Sequence, residues 1–324
     1  MSELTEILSP ISKELDEFKH LFDVSLSSSN PLLSKAIEHI KKSNGKMMRP
    51  ILVLLLAKLY GTVQDKTFHA AVSLELLHTA SLVHDDVVDE SDKRRGQLSV
   101  NALFDNKVSV LVGDYLLATS LVEVSETGST DIIQVIARLG KQLSEGELLQ
   151  LSNVSNHEFS QDIYFDVISK KTAALFAACA KVAALSAGAS PQEVENCTKF
   201  GEYLGVCFQI KDDIFDYSSS DDIGKPTGND ILEGKLTLPA LYVLNNKSNE
   251  EMKLIAIRIK DGEATDKDIS SFISYIEKSG GIEYAEKIMN GYHRKALDLL
   301  ATLPDSPIKE SLVLYLDYIV SREK

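Results

Sequence analysis

Cysteine is scarce in this sequence, and its spacing excludes a cross-linked or metal-stapled fold. The three cysteines, Cys179, Cys197 and Cys207, form no CxxC pair and lie in apolar stretches with helical periodicity. Without a partner at suitable spacing, cysteine behaves as a small apolar side chain. We therefore expect buried, reduced thiols and no disulfide framework.

Long hydrophobic runs and flexible linkers are also missing. The longest uninterrupted apolar runs, residues 51–57 and 173–180, are far shorter than the roughly 20 residues that span a bilayer. The start, MSELTEILSP, is acidic, unlike the basic and apolar start of a signal peptide. No Gly/Pro/Ser-rich segment divides the 324 residues. We expect a single domain covering residues 1–324 and a cytoplasmic location.

The sequence has no excess of basic charge. It contains 34 Lys and Arg against 48 Asp and Glu, which gives a formal net charge of −14. Proteins that bind nucleic-acid backbones need an extended basic face. The composition therefore argues against a nucleic-acid partner, although a small anionic substrate could bind where basic residues cluster locally.

Alternating runs of β-branched residues are absent, and almost every segment has a helical period. The predicted fold class is all-α. Clusters of Ser, Gly, Asn, Asp and Pro predict loops between the helices, at residues 27–31, 43–50, 91–99, 126–130, 218–229 and 261–265. The last 60 residues or so resemble helical scaffold without recognisable chemistry.

A repeated acidic motif is the most informative feature that is present. The string DDVVD at residues 85–89 recurs as DDIFD at residues 212–216, each time behind an apolar helical stretch. In a helix, the first and last carboxylates of each motif lie one turn apart, while Asp86 and Asp213 point to the side. Mg²⁺ is usually held by one or two carboxylates and completed by water and phosphate. The repeat therefore indicates a diphosphate bound through Mg²⁺; a solvated acidic helix face is the alternative for either motif alone.

Each motif extends a polar stripe on its own helix. His78 and Ser81 precede Asp85 and Asp89 on one face, and Gly205 and Gln209 precede the second motif in the same way. An apolar packing stripe runs along another face of the first helix, through Leu76, Ala80, Val83 and Val87. Each helix is thus expected to combine packing with chemistry.

Basic residues are scattered in short segments that a helical bundle could bring together. The guanidinium fork suits phosphate oxygens, although cations at helix ends are also favoured by the helix dipole alone. These segments hold Lys46 and Arg49, Arg94 and Arg95, Lys170 and Lys171 before Thr172, Lys225, and Lys235.

Eight stretches of the sequence, taken together and in order, resemble the all-trans isoprenyl (polyprenyl) diphosphate synthase family. They are GKMMRP, ELLHTASLVHDDVVDESDKRRG, VLVGDYLLA, SEGELLQL, KKTAALF, FQIKDDIFDY, GKPTGND and EGKLTLP. They cover about residues 40 to 240. A lone DDxxD is weak evidence, whereas this ordered set is highly specific.

The resemblance implies an architecture, a reaction and its partners. The fold would be a large antiparallel helical bundle around a central apolar cavity, with the acidic motifs facing each other across its mouth. The reaction would be Mg²⁺-dependent condensation of isopentenyl diphosphate with an allylic diphosphate, with three Mg²⁺ ions per active site when substrate is bound. A homodimer is expected, and the product is expected to partition to membranes.

The resemblance also assigns roles to single residues. Mg²⁺ would bind Asp85, Asp89, Asp212 and Asp216. The allylic diphosphate would contact Arg94, Lys171, Lys225 and Lys235. Isopentenyl diphosphate would contact Lys46, Arg49, His78 and Arg95. Thr172 and Gln209 match polar groups near the allylic carbon, so the expected catalytic set is Asp85, Asp89, Lys171, Thr172, Gln209 and Asp212. Met47 departs from the family, where many relatives have a basic residue, as does Lys170, where Gly is common.

Product length is expected to depend on the residues beneath Asp85. Aromatic residues one turn below the motif stop the product early in the family, and here Ala80 and Ser81 are small. One helical turn is about 5.4 Å, roughly one isoprene unit. With Leu77 contributing to a deeper floor, we expect a medium or long product, such as a quinone side-chain precursor.

Four other interpretations follow from parts of the same pattern. A short-chain geranylgeranyl or farnesyl diphosphate synthase would share every motif. An HD-type phosphohydrolase is suggested by the His and Asp residues of the first motif, but the second motif has no nearby His. A terpene cyclase would share DDxxD without needing the residues for a second diphosphate. A non-catalytic subunit of a heteromeric synthase would typically have lost one acidic motif.

Overall fold

The computed structural model describes residues 3–42, 45, 47–94, 96–217, 229–247 and 249–322. Its helices are α1 (Glu3–Leu8), α2 (Ser12–Ser25), α3 (Pro31–Lys42), α4 (Met48–Tyr60), α5 (Asp65–Val88), α6 (Val100–Phe104), α7 (Asn106–Glu126), α8 (Thr130–Val154), α9 (Gln161–Ile168), α10 (Ala174–Ala187), α11 (Pro191–Tyr217), α12 (Asn229–Leu232), α13 (Leu238–Asn246), α14 (Glu250–Lys260), α15 (Asp266–Lys278), α16 (Gly281–Ala301) and α17 (Pro307–Ser321). A 3₁₀ turn (Ser9–Ile11) joins α1 to α2, and a π-helical turn (Ser169–Ala173) joins α9 to α10. The all-α prediction is confirmed.

The chain divides into two compact units. Unit 1 contains Met1–Lys141, Leu175–Gly201 and Thr302–Tyr315, and unit 2 contains Gln142–Ala174, Glu202–Ala301 and Leu316–Lys324. The expectation of one domain covering residues 1–324 stays a prediction.

Helix α5, which carries the first acidic motif, is fixed at both ends by local chemistry. At its start, Gln64 and Thr67 form a reciprocal capping box, with the Thr67 hydroxyl accepting from the Gln64 N–H at 3.1 Å. At its end, Glu90 adopts a left-handed conformation with φ 50°, and the Ser91 N–H donates to the Asp86 carbonyl at 2.9 Å. The helix therefore stops at Val88, within the motif.

The core of unit 1 is built around the contact between α5 and α7. Two buried serines meet there, and the hydroxyl of each donates to the carbonyl of the other: Ser73 Oγ to Ser120 O at 2.8 Å and Ser120 Oγ to Ser73 O at 2.9 Å. Small side chains that satisfy their own hydroxyls let two helices approach closely without orphaned polar groups. Helix α4, buried throughout residues 50–57, completes this core.

Unit 2 contains a buried lysine that closes the end of α8. Lys260 is only 8% exposed, and its ammonium donates to the carbonyls of Asn153 (2.8 Å), Asn156 (2.8 Å) and Glu158 (3.0 Å). Burial lowers its pKa. The last carbonyls of a helix carry partial negative charge and lack intrahelical partners, so this cation satisfies them and fixes the chain beyond α8.

Two expectations about loops were wrong in detail. Residues 91–99 contain a hairpin of β1 (Lys93–Arg94) and β2 (Gln97–Leu98), turned by Gly96 with φ 77°. Strands of two residues are too short to show alternation, so the sequence carried no signal for them. Helix α4 begins at Met48 and includes Pro50, because a proline in the first helical turn loses no intrahelical hydrogen bond. Residues 218–228, and 43, 44 and 46, lie outside the described residues.

All three cysteines are free and buried, as predicted. Burial raises the pKa of Cys179 and of Cys207 to about 12, which keeps both thiols protonated and unreactive at neutral pH. Among the described helices, α7 alone is long and apolar enough by composition to cross a membrane, and the core helix of a soluble protein passes the same test.

Candidate active site

The first acidic motif lies at the C-terminal end of α5, in unit 1. Asp85 and Asp89 are half-buried, one helical turn apart, whereas Asp86 is 2% exposed. The negative end of a helix dipole favours a bound cation. Asp85 and Asp89 therefore form a suitable pair of Mg²⁺ ligands, and Asp86 has another function.

Asp86 binds the basic segment that follows. Arg94 donates from Nε (2.8 Å) and Nη2 (2.7 Å) to Asp86 Oδ1, and Asn101 Nδ2 donates to the Asp86 carbonyl at 3.2 Å. The pKa of Asp86 is raised, because desolvation outweighs the attraction of Arg94. Arg94, the predicted allylic diphosphate ligand, is thus tied to the acidic motif by its middle carboxylate.

A cavity of about 60 Å³ lies beside α5 in unit 1. Its polar lining includes His78, Asp86, Arg94 and His39. The predicted chain-length residues Leu77, Ala80 and Ser81 do not line it; Leu77 and Ala80 are buried, and the Ser81 hydroxyl donates to the His78 carbonyl at 2.8 Å. His78 and Arg94 thus face the same cavity. The assignment of Leu77, Ala80 and Ser81 to product length stays a prediction.

Arg49 is the described member of the basic pair near residue 46. Its guanidinium lies 5.3 Å from the centroid of the Phe176 ring, and its buried Nε has no hydrogen-bond partner among the described residues. A buried donor without a partner is costly unless a ligand or water satisfies it. Arg49 therefore suits an anionic ligand. Lys46, Arg95 and Lys225 lie outside the described residues.

The second acidic motif lies at the C-terminal end of α11, in unit 2. Asp216 accepts the Asp230 N–H at 3.1 Å, and Asp212 accepts Arg322 Nη2 at 2.6 Å. Arg322 also stacks over the Phe208 ring, 4.0 Å from its centroid. Burial, followed by the charge of Asp216, raises the pKa of Asp230 to about 7. The cluster concentrates negative charge at a helix C-terminus, and Arg322 neutralises part of it.

Asp213, the middle carboxylate of this motif, joins a buried hydrogen-bond chain. Tyr164 donates to Oδ2 at 2.5 Å, and Gln209 Nε2 donates to Oδ1 at 2.8 Å. Gln209 Oε1 in turn accepts from Thr172 Oγ1 at 2.6 Å. Burial, and then the charge of Asp230, raises the pKa of Asp213, while the two donated hydrogen bonds act against that rise. Thr172 and Gln209, predicted to lie near the allylic carbon, are therefore in direct contact.

Lys171 is held by the GELLQ segment of α8. Its ammonium forms an ion pair with Glu147 and donates to Gln150 Oε1 at 3.2 Å. Gly146 leaves space for it, since a Cβ there would lie 2.8 Å from Lys171 Cγ. Lys171 and Thr172 both lie in the π-helical turn at residues 169–173, and such turns often occur at functional sites. Lys235 pairs with Glu233 at 2.6 Å.

Several residues of this site were missed by sequence reasoning. Arg322 belongs to the last 60 residues, which were expected to be scaffold only; this expectation was wrong for Arg322, and a single arginine near a chain end gives no motif. Tyr164 offered no signal either. Glu147 and Gln150 belong to a stretch that carried the family resemblance, but no role was assigned to them.

The carboxylates suit a metal that needs few protein ligands. Among the described residues, no group of three or more His, Cys, Asp and Glu side chains is arranged to hold a metal ion by itself. Mg²⁺ typically uses one or two carboxylates and takes its remaining ligands from water and phosphate. The carboxylate pairs at the ends of α5 and α11 fit that requirement.

Comparisons with known proteins agree with this chemistry. The model of the polyprenyl synthetase family matches residues 30–276. Octaprenyl diphosphate synthase of Escherichia coli is 34% identical over 92% of this chain and 93% of its own length. Among solved structures, geranylgeranyl pyrophosphate synthase from Bacteroides thetaiotaomicron is 56% identical, with a TM-score of 0.88 over 99% of this chain and all of the other. Decaprenyl diphosphate synthase from Rhodobacter capsulatus is 36% identical, with a TM-score of 0.92 over 99% and 100%. The predicted resemblance is confirmed, and this chain belongs to the polyprenyl synthetase family.

Proposed function

We propose that this protein is an all-trans polyprenyl diphosphate synthase that condenses isopentenyl diphosphate with an allylic diphosphate. The observation that carries the proposal is the contact between Thr172 and Gln209, 37 positions apart, immediately beside the second acidic motif. Lys171 is adjacent in sequence, and Asp212 and Asp216 lie on the same helix as Gln209. Family membership and this grouping of the expected catalytic residues support the same activity, prenyl transfer.

The residues divide the chemistry between leaving group and cation. When bound to the carboxylate pairs, Mg²⁺ would supply positive charge that stabilises the departing pyrophosphate. Lys171 adds a cation on the protein side, while the oxygens of Thr172 and Gln209 offer lone pairs to the allylic carbon. The π bond of isopentenyl diphosphate then attacks C1 of the allylic cation, and the released pyrophosphate accepts the final proton. No protein nucleophile is required.

The proposed product is medium or long, about six to ten isoprene units, since Ala80 and Ser81 leave no ring one turn below Asp85. The names of the octaprenyl and decaprenyl relatives support this length. A second candidate product has geranylgeranyl length, because the Bacteroides structure of that name is 56% identical to this chain. Incubation with labelled isopentenyl diphosphate and a short allylic primer, followed by chromatography of the dephosphorylated products, tests activity and separates the two lengths.

Arg49→Ala is expected to raise the KM for isopentenyl diphosphate by about 10- to 100-fold, because a charge-assisted hydrogen bond to phosphate is lost. The KM for the allylic primer should change little, since the two diphosphates occupy separate sites in the proposal. Steady-state kinetics with each substrate varied in turn measures both values. Arg49→Lys is the matched variant, because it keeps the positive charge and loses the forked guanidinium. Its KM for isopentenyl diphosphate should lie between those of the wild type and Arg49→Ala. Equal increases in both KM values would contradict the assignment of Arg49.

We also propose that the protein is a cytoplasmic homodimer that associates through α7. One face of this helix exposes apolar side chains in helical register: Val110, Leu111, Leu117, Leu121 and Val122. Exposed apolar side chains that share one face of a helix are typical of a protein interface, and the exposed Asp114 is the acid among them. The apolar product would be expected to partition into membranes after release.

Leu111→Glu combined with Leu121→Glu is expected to convert the dimer to monomer, because charges would be buried in an apolar interface. Light scattering coupled to size exclusion measures the mass. Leu254→Glu is the matched control: Leu254 lies on α14 and is 57% exposed, close to the 67% and 55% of the two α7 leucines. A dimer that persists in the double variant, or wild-type protein already monomeric, would contradict the proposed interface.

A further inference from the structure

We propose that Tyr164 and Asp213 are positioning residues that fix the direction of the hydrogen-bond chain ending at Thr172, so that oxygen lone pairs rather than protons face the allylic cation. This inference rests on the proposed prenyl-transfer function and deepens it. Neither residue needs to touch substrate. Their effect would pass through Gln209. Its side-chain amide can exchange the positions of its oxygen and its NH₂ group unless its hydrogen-bond partners fix one orientation.

The direction follows from the donors and acceptors available. A carboxyl oxygen that carries no proton can only accept, an amide NH₂ group can only donate, and an amide oxygen can only accept. Both oxygens of Asp213 are engaged, by Tyr164 at 2.5 Å and by the Gln209 amide at 2.8 Å. Because Asp213 takes the NH₂ group of Gln209, the amide oxygen must face Thr172. The Thr172 hydroxyl must then donate its proton to Gln209 at 2.6 Å.

Burial makes this arrangement rigid. Asp213 is 1% exposed and Tyr164 is 6% exposed, so neither can exchange its partner for water. Inside a protein, reversing one hydrogen bond of such a chain leaves a buried group unsatisfied, which costs more than the bond itself contributes. The carboxylate at one end therefore sets the position of the Thr172 proton at the other.

The consequence for catalysis is electrostatic. With its proton committed to Gln209, the Thr172 hydroxyl presents only lone pairs to its remaining neighbours, and the Gln209 carbonyl dipole has the same sense. A fixed negative dipole stabilises a developing carbocation without reorganisation, whereas a proton pointing at the same carbon would raise the barrier. The middle acid of the second motif would thus act on the cation, while its neighbours Asp212 and Asp216 act on the metal.

Substitutions at two positions can disrupt this hydrogen-bond chain and then restore it with the amide and the carboxylate exchanged. Asp213→Asn offers one acceptor oxygen where the native residue offers two, so Tyr164 and Gln209 can no longer both donate to it. We expect kcat to fall by about 10- to 100-fold. In the double variant Asp213→Asn with Gln209→Glu, the introduced amide can accept from Tyr164 and donate to the introduced carboxylate. That carboxylate also accepts from Thr172, so the double variant should recover most of the kcat lost in Asp213→Asn.

Steady-state pyrophosphate release at saturating substrates gives kcat, and titrations give the KM values and the Mg²⁺ concentration for half-maximal activity. The proposal expects Asp213→Asn to change kcat while leaving the KM values and the Mg²⁺ requirement near wild type. Tyr164→Phe should lower kcat by about 3- to 10-fold. Tyr284→Phe, which removes a 3.0 Å hydroxyl bond to Gln161 elsewhere in unit 2, is the matched control and should leave kcat unchanged.

Three results would overturn the inference. A double variant no more active than Asp213→Asn would show that direction is not what matters. An increased Mg²⁺ requirement at unchanged kcat would make Asp213 a metal-site residue. Wild-type kcat in both Tyr164→Phe and Asp213→Asn would remove any positioning role. If the wild-type enzyme transfers no prenyl group, the proposed function fails first, and that outcome is distinguishable from the others.

Discussion

Replacing Asp85 or Asp212 by alanine is expected to lower the rate of prenyl transfer by at least about 10²- to 10³-fold in each single variant, the scale for removing one preorganised electrostatic group. Both carboxylates lie near helix C-termini, where the helix dipole favours a bound cation. Loss of either should weaken Mg²⁺ binding and leave the departing pyrophosphate less stabilised. Chelation of Mg²⁺ should abolish turnover, and adding it back should restore the rate.

The measurement is the initial rate of labelled isopentenyl diphosphate incorporation, with Mg²⁺ varied. Asp92→Ala is the matched control, because Asp92 is an exposed acid just beyond the first motif and its loss removes the same charge from the same end of α5. Its rate should remain near wild type. Near-normal turnover in Asp85→Ala or in Asp212→Ala would exclude a requirement for both motifs. An equal loss of rate in Asp92→Ala would show that the rate depends on net charge near the motif.

Replacing Ala80 or Ser81 by phenylalanine is expected to shorten the product to three or four isoprene units while primer consumption largely continues. Each position lies about one turn below Asp85, so the ring would block a growing tail of which one unit spans about 5.4 Å. Burial of each further CH₂ favours elongation by roughly 0.8 kcal/mol, so the block must be nearly complete to stop it. Ala80 is 1% exposed, and a ring there also risks overpacking by about 1–3 kcal/mol. The half-buried Ser81 is the cleaner test.

Chromatography of dephosphorylated products gives the length distribution, and thermal unfolding detects any loss of stability. Ala80→Ser and Ser81→Ala change the same positions without adding bulk and should keep the wild-type product. An unchanged long product in both phenylalanine variants would mean that the tail takes another route. A wild-type product already stopping at four units would favour the geranylgeranyl candidate and place the stop at another side chain.

The sequence predicted what depends on periodicity and on residue type. It indicated an all-α chain, the two acidic motifs at one-turn spacing and the buried thiols. The family resemblance implied that Thr172 and Gln209 lie near the allylic carbon, and it did not indicate their hydrogen bond to each other. The sequence did not indicate the hairpin at residues 93–98, because two-residue strands leave no pattern. It did not indicate the partners of Asp86 and Asp213, because a carboxylate that binds Arg94 or Tyr164 has the same letter as one that binds metal. Arg322 reaches Asp212 across 110 positions, a contact that only tertiary structure reveals.

The acidic motifs lie at the C-terminal ends of α5 and α11, and this position sets catalysis against stability. Negative charge is disfavoured at the negative end of a helix dipole, so the carboxylates of each motif cost stability that nearby cations or hydrogen-bond donors must offset. Arg322 offsets this for Asp212, and Arg94 does so for Asp86. Residues that the proposed activity requires are thus residues that cost stability, and the two demands conflict at the acidic motifs. Substitutions chosen only to stabilise the metal-free protein would therefore fall first on the aspartates that the proposed activity requires.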